Sequence, residues 1–367
     1  MRGDNKNVNT LRLNVDSDRL ESAHNSEAIN QAAGILRAGG LVAFPTETVY
    51  GLGANALDRA AVEGIFAAKE RPAWDPVIVH IAGPENEPAS SAAMLNQLVT
   101  EIPLAAQLLM EKFWPGPLTL LFPRSAAVPD AVTAGRPLAG IRMPAHPVAL
   151  ELIRRAGVPV AAPSANLFGH ISPTTAAHVL EDLDGRIDAV LDAGPTAHGL
   201  ESTVLDPCQS PMLIYRPGAV TAGQIQEIAG PVEMFREVAD LTEMPQAALP
   251  SPGTGLRHYA PRARLILVEG PQETLGKLLE KAALELQGER VGVMLPFGVD
   301  APLGLAGRSV FFWGRWNRPA EMARELYAGL RTLDQEGCTV ILCPLPPADG
   351  IGAAIRDRLL KAAVPAI

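Results

Sequence analysis

Between Ser26 and Ala362, short apolar runs alternate with helix-length stretches whose apolar residues recur every three or four positions. That alternation restricts the chain to sheets covered by helices. Ser26 is placed to cap a first helix in which Ile29, Ala32, Ala33 and Leu36 form one stripe and Gly39 and Gly40 end it. The run 41–44 is then a buried strand stopped by Pro45. Asp58 caps a second helix with Val62, Ile65 and Phe66 on its inner face and Lys69 at its close. The same reading predicts strands at 77–81, 118–122, 140–143, 158–162, 189–191, 203–206 and 213–215. Helices are predicted at 104–112 and 148–155, and in a segment from 173–175 to Asp182. The first unit is therefore an α/β domain with a twisted, mixed sheet. From Val220 a short helix leads into a stretch of little periodicity broken by Pro245, Pro250, Pro252 and Pro261, which reads as a linker. Beyond it, strands at 265–268, 291–295, 310–313 and 340–343 alternate with helices at 275–286, 320–333 and 353–362. That pattern predicts a small parallel-sheet domain of Rossmann-like type. The expected division is 1–230, a linker and candidate lid at 231–263, and 264–367.

The chain has 367 residues, 47% hydrophobic and 19% charged, enough apolar material for two packed cores. Its net charge of −9 argues against a surface given over to nucleic acid. Cys208, Cys338 and Cys343 form no CxxC pair and are odd in number, which points to reduced thiols, a cytoplasmic setting and no structural zinc. No signal-like apolar segment opens the chain and no apolar run reaches membrane-spanning length.

Four stretches concentrate chemistry. In FPTETVYGLG (44–53) a strand end delivers Thr46, Glu47, Thr48 and Tyr50 toward the crevice beyond the sheet, and Gly51 and Gly53 allow close backbone approach of a ligand; the plainer alternative is a capped strand-to-helix turn. In KERPAWDP, Lys69 and Arg71 sit between a helix end and two prolines, suited to a polyanion such as a triphosphate, although a cation at a helix C-terminus needs no ligand to explain it. Arg142 lies within an apolar strand and must meet an anion, structural or bound. In PSANLFGHISPT, Ser164, Asn166, Gly169 and Ser172 precede a helix start and form an anion pocket without cationic bulk, with Ser172 the expected N-cap. Glu201, Ser202, Thr203 and Arg216 complete a ring of polar groups. His80 ends a strand, and Trp114 reads as core or rim. Ser202 with His198 suggests a serine hydrolase, but no GxSxG elbow is present, and no GxxxxGK[ST] phosphate loop exists either.

Taken in order, FPTETVYGLG, KERPAWDPVIVHI, FWPGPLTLLF, GIRMPAHP, PSANLFGHISPT, ESTV and YRPG resemble the YrdC-domain family of threonylcarbamoyl-AMP synthases over about residues 25–230. SPGTGLRHYAP resembles the linker of the family's long, two-domain form. The resemblance implies that L-threonine, bicarbonate and ATP, with Mg²⁺ carried by ATP, give threonylcarbamoyl-AMP and pyrophosphate. This is the first step of N6-threonylcarbamoyladenosine formation on tRNA, which separate transferase proteins complete, and weak RNA binding is compatible with it. Carried over by position, Thr48, His80, Arg142 and Ser202 would hold threonine. Lys69, Arg71, Asp75, Leu138, Ser164, Asn166, Ser172, Arg216 and Tyr259 would hold ATP, with Lys69 and Arg71 as the catalytic pair and His258 and Tyr259 in the lid. No protein side chain would ligate the metal. Asp75 stands where family members often carry Asn, and Thr254 to Leu256 depart from the usual linker. Two rivals are a carbamoyl-adenylate enzyme using carbamoyl phosphate, disfavoured by the lack of zinc-finger or acylphosphatase-like segments, and a non-catalytic RNA-binding module. The latter is disfavoured by acidity and by a lack of interleaved aromatic and basic residues.

Overall fold

A computed structural model describes residues 9–83, 93–235, 251, 259–299, 305 and 307–363. The chain opens with β1 (Leu11–Asn14), α1 (Ala23–Arg37), β2 (Val42–Pro45), β3 (Tyr50–Asn55), α2 (Arg59–Lys69) and β4 (Val79–His80). It continues through α3 (Ala93–Leu98), α4 (Leu104–Phe113), β5 (Leu118–Pro123), α5 (Asp130–Thr133), β6 (Leu138–Arg142), α6 (Pro147–Ala156) and β7 (Val160–Ala161). Then come α7 (Ala176–Leu183), β8 (Ala189–Asp192), β9 (Thr203–Asp206), β10 (Met212–Arg216), α8 (Ala222–Ala229) and β11 (Val232–Met234). These eleven strands form one mixed sheet in the order β1-β8-β2-β3-β7-β4-β6-β5-β9-β10-β11.

Both faces of this sheet are covered. Val42, Phe44 and Val160 pack with Ile29 and Leu36 of α1 and Leu152 and Ile153 of α6. On the other face Ala43, Leu52, Val79 and Ile141 pack with Val62 and Ile65 of α2, Leu109 of α4 and Val179 of α7. Strands buried on both faces need no polar alternation, which is why they read as continuous apolar runs in the sequence.

The second unit comprises β12 (Arg264–Val268), α9 (Gln272–Glu285), β13 (Val291–Phe297), β14 (Ser309–Arg315), α10 (Pro319–Gln335), β15 (Val340–Pro344) and α11 (Ile351–Ala362). Its four strands pair only in parallel, in the order β12-β15-β13-β14. Edge strand β14 carries Phe311, Phe312 and Arg315, with Arg308 just before it and Arg318 just after it. Phe312 stacks on Phe297 at 5.0 Å, both about half exposed, while Arg315 and Arg318 share Glu321. No helix among the described residues is long and apolar enough to cross a membrane.

Several boundaries move. The first helix starts earlier, capped by Ser22 Oγ rather than Ser26, whereas Asp58 caps α2 as expected. Thr175 Oγ1, not Ser172, accepts the N-terminal N–H of α7, because Ser172 is engaged elsewhere. β4 and β7 shrink to two residues each, although Ile81 N and Ala162 N still donate to the Arg142 and Ile78 carbonyls. Strand β3 was not foreseen. It pairs antiparallel with β2, and Gly53 leaves room for packing rather than for a ligand: a Cβ there would lie 2.7 Å from the Phe44 ring and 2.8 Å from Val160. Most of the 231–263 linker, including His258 and the Thr254–Leu256 departure, lies outside the described residues.

The two units share a core. Val49, Ile171 and Leu200 pack with Leu326 and Tyr327 of α10 and Ile355 of α11. Gly199, at φ +71°, lies so close to α10 that a Cβ would fall 2.5 Å from Arg324 Cα and 2.7 Å from the Ala323 carbonyl. Neither backbone can yield locally, so Gly199→Ala is expected to lower stability by about 2 to 4 kcal/mol from left-handed strain plus overpacking. Urea unfolding of the variant checks this, and a loss below about 0.5 kcal/mol, the size of an ordinary surface substitution, would show that the contact is loose.

Candidate active site

The strand ends near the centre of the large sheet converge on a cleft lined by Thr46, Thr48, Gly51, Arg71, His80, Arg142, Ser164, Glu201, Ser202, Arg216 and Tyr259, with Val49, Val77, Ile78, Ala162 and Pro163 as its apolar walls. Parallel pairing of β4 with β6 sets His80 directly opposite Arg142. Arg142 is almost fully buried. Its Nη1 donates to Thr48 Oγ1 at 3.0 Å, its Nε donates to the Gly116 carbonyl at 3.1 Å, and its Nη2 pairs with Glu47 Oε1 at 2.6 Å. The anion required by an arginine in an apolar strand is therefore already present as Glu47. That carboxylate is buried and is not part of the cleft lining. Tyr50 also points away, donating to the Gly194 carbonyl. Thr46 Oγ1 donates to Val49 O at 2.7 Å and lies 2.8 Å from Thr48 Oγ1, so the turn between β2 and β3 is tied by its own hydroxyls.

Opposite this end, Lys69 is 1% exposed at the close of α2. Its Nζ donates to the Ser164 carbonyl at 2.6 Å and also to the Asn166 carbonyl. Lys69 thus lies beneath the 164–166 turn rather than on the cleft surface. Burial above all, and then Arg71, hold its pKa well below the usual lysine range. Arg71 does line the cleft; its Nη2 meets Asp75 Oδ1 at 2.9 Å and donates to the Pro76 carbonyl at 2.7 Å. Asp75 is wholly buried as the partner of that guanidinium. Asn166 Nδ2 donates to the Leu167 and His170 carbonyls, bracing the same turn from behind. Leu138 sits apart, packed with Ile78, Leu121 and Val204.

The far wall is built by the 201–203 loop and β10. Arg216 donates from Nη2 to Ser202 Oγ and from Nε to Ser202 O, both at 3.1 Å, and Ser202 Oγ lies 2.7 Å from Thr119 Oγ1. Ser202 is thus committed to an arginine and a threonine, and nothing in this arrangement activates it as a nucleophile. Ser172 Oγ donates to Glu201 Oε1 at 2.5 Å. Burial alone would raise the pKa of Glu201, but Arg358 and Arg216 outweigh it and hold the carboxyl down at about 2. Thr119, Tyr327 and Arg358 escaped the sequence reading; Tyr327 and Arg358 come from the second unit, and their signal was polarity on an otherwise apolar helix face.

His80 is buried, and burial followed by Arg142 lowers its pKa to about 3 from 6.5. A histidine buried neutral binds fewer protons folded than unfolded, so its contribution to stability is full above 6.5 and is lost as pH falls from 6.5 toward 3. His80→Gln is expected to flatten the acid side of the stability curve by a few kcal/mol across that window. Urea midpoints at successive pH values provide the check, and an unchanged slope would assign acid sensitivity to other groups.

Residues 34–218 match the family model described as telomere recombination, and residues 220–364 match the model described as the threonylcarbamoyl-AMP synthase C-terminal domain. The chain belongs to the threonylcarbamoyl-AMP synthase family. It is 43% identical to the threonylcarbamoyl-AMP synthase of Pyrococcus abyssi, covering 96% of this chain and 97% of that one. Identity is also 43% to the synthase of Bacillus subtilis, over 97% and 98% of the two chains. A crystal structure of P. abyssi Sua5 complexed with L-threonine superposes with a TM-score of 0.85 at 41% identity, covering 96% of this chain and 98% of that one. The resemblance drawn from seven motifs thus extends over both units of this synthase-family chain.

Proposed function

We propose that this chain is an L-threonylcarbamoyladenylate synthase that converts L-threonine, bicarbonate and ATP to threonylcarbamoyl-AMP and pyrophosphate. The observation that carries the reading is a single cleft that brings a buried, oriented arginine and two threonine hydroxyls together with Arg71, Ser164 and Arg216. That pairing of features suits an amino acid carboxylate on one side and a polyphosphate on the other.

In this reading Arg142, Thr48, His80 and Ser202 hold threonine, with Arg142 on its carboxylate. Neutral His80 offers a hydrogen bond without competing for that charge. Arg71, Ser164, Arg216 and Tyr259 face the ATP side, Asn166 and Ser172 support it from behind, and Asp75 acts there by orienting Arg71. Lys69 fixes the carbonyls of the 164–166 turn and adds positive potential beneath it; Leu138 contributes apolar support. Mg²⁺ arrives bound to ATP as part of the substrate. The threonine amine adds to CO₂ derived from bicarbonate, giving a carbamate. A carbamate oxygen then attacks the α-phosphorus, and the bond to the bridging oxygen breaks as pyrophosphate leaves. The step needs alignment and charge neutralisation rather than a protein nucleophile, and orientation can supply about 7 to 11 kcal/mol of the barrier. Excluding water from the cleft would protect a labile mixed anhydride. Downstream, separate tRNA-modifying transferase proteins in the cytoplasm would take up the product.

Pyrophosphate release by purified protein with Mg²⁺, comparing L-threonine, serine, carbamoyl phosphate and no addition, tests the reading. Threonine- and bicarbonate-dependent release is expected. Release only with carbamoyl phosphate would move the chain to a different adenylate chemistry.

A further inference from the structure

We infer that Arg358 and Tyr327, both supplied by the C-terminal unit, are positioning residues for the ATP side of the cleft and act through Glu201. The assignment of that side rests on the reading above, whereas the contacts themselves do not.

Glu201 lines the cleft yet is only 6% exposed, so its charge needs partners inside the protein. One oxygen accepts from Ser172. The other accepts from Arg358 Nε at 2.8 Å and from the Tyr327 hydroxyl at 2.9 Å. Two of its three direct partners therefore lie more than 120 residues away on α10 and α11. Arg358 is itself 1% exposed and held from behind by Asp357 at 2.6 Å. The same two residues clamp Tyr259, whose ring stacks on Tyr327 at 5.7 Å and lies 5.3 Å from the Arg358 guanidinium carbon. Tyr259 also lines the cleft, at φ +64°, a conformation that a residue with a side chain keeps only when its surroundings enforce it.

Removing Arg358 leaves Arg216 as the other arginine that lowers the charge cost of Glu201, and Arg216 already donates to both oxygens of Ser202. The buried carboxylate then competes with Ser202 for that guanidinium, and Arg216 swings away from the position where it would meet a phosphate. The Arg142 part of the threonine site, organised by Glu47, Gly116 and Thr48, keeps its contacts in this exchange, and only Ser202 loses an arginine donor. The C-terminal unit thereby sets nucleotide affinity without contributing a nucleotide ligand of its own.

The test is calorimetric titration of the full chain with Mg-ATP and, separately, with L-threonine, alongside KM values from pyrophosphate release. Arg358→Met is expected to weaken ATP binding about tenfold and Tyr327→Phe, which keeps the ring stack, about threefold, while threonine affinity, which keeps Arg142 and loses only the arginine behind Ser202, falls no more than about threefold. Arg358→Lys should recover part of the loss. In a Glu201→Gln background, Arg358→Met should change ATP affinity less than about twofold, since coupled residues are not additive. A purely structural role predicts instead that folded Arg358→Met binds both ligands as wild type does, or that its loss persists in the Glu201→Gln background; either result would overturn the inference. Because binding is read directly, these outcomes stand apart from whether wild-type protein turns over threonine.

Discussion

Replacing Lys69 with methionine is expected to reduce pyrophosphate release about 100- to 1000-fold, the range seen when one preorganised group is removed from a charge-stabilising site. The geometry makes this more specific than the loss of a phosphate contact. Lys69 does not line the cleft; it ties the Ser164 and Asn166 carbonyls to the end of α2 and holds the turn whose upper face carries Ser164. Methionine fills the same volume but leaves two buried carbonyls without that donor, costing about 1 to 3 kcal/mol each. Against this, the desolvation cost of a buried ammonium, on the order of several kcal/mol, disappears. The two nearly cancel, so activity should collapse while the urea midpoint moves little. The pH dependence separates the terms. The folded-state pKa of Lys69 is depressed below 10.5, so the unfolded chain binds the proton more readily and wild-type stability rises as pH climbs through the interval between the two values. The variant should lack that rise. Arg71→Met should match the loss of turnover but cost more stability, because it breaks a pair with a wholly buried Asp75. Near-normal turnover in both variants would remove the pair from the chemistry.

The architecture was legible where burial leaves a simple signature. β2, β5, β8 and the strands of the parallel sheet are apolar runs bounded by Gly, Pro or charge, and α2 carries a cap, a stripe and a closing lysine. β3 was opaque because Tyr50–Asn55 has no β-branched residue and two glycines, features that mimic a loop; only packing against Phe44 and Val160 explains Gly53. The caps moved for a related reason. Ser172 and Thr175 are equally good local acceptors, and the choice fell to Glu201, a partner 29 residues away.

Within the cleft, the residue types were readable but their pairings were not. An arginine in an apolar strand announces that an anion must be near, yet it does not say whether that anion is Glu47 or a ligand. The same logic applied to α11 would have exposed Arg358. Ile355, Arg358, Leu359 and Ala362 occupy one helical face, and a guanidinium on that face has to meet a carboxylate. Tyr327 and Arg331 break the apolar face of α10 in the same way, and Arg331 reaches Asp182 and Glu181 of the first unit. Polar residues out of phase with their own helix were thus the sequence trace of the docking between units, and the composition of each unit taken alone could not supply it.

Arg142→Met is expected to abolish threonine-dependent turnover, by about 1000-fold or more, and also to destabilise the fold by about 3 to 5 kcal/mol. The second effect follows from Glu47. With Arg142 gone, a carboxylate 6% exposed keeps no guanidinium partner, and the nearby His146 and His198 are held toward the neutral form by burial. Thr48 and the Gly116 carbonyl lose their donor as well. The double variant Glu47→Gln/Arg142→Met removes the stranded charge, so it should regain most of the lost stability while remaining inactive toward threonine. Glu47→Gln alone should retain turnover with a raised threonine KM, since Arg142 then loses the group that orients it but gains net positive charge toward the cleft. Thermal unfolding and pyrophosphate release on the three proteins form a complete cycle. Recovery of stability without recovery of turnover separates the two duties of Arg142, folding anchor and carboxylate ligand. Recovery of both would mean that the arginine serves only to neutralise Glu47, and a double variant as unstable as Arg142→Met would place the cost in lost packing instead of in the buried charge.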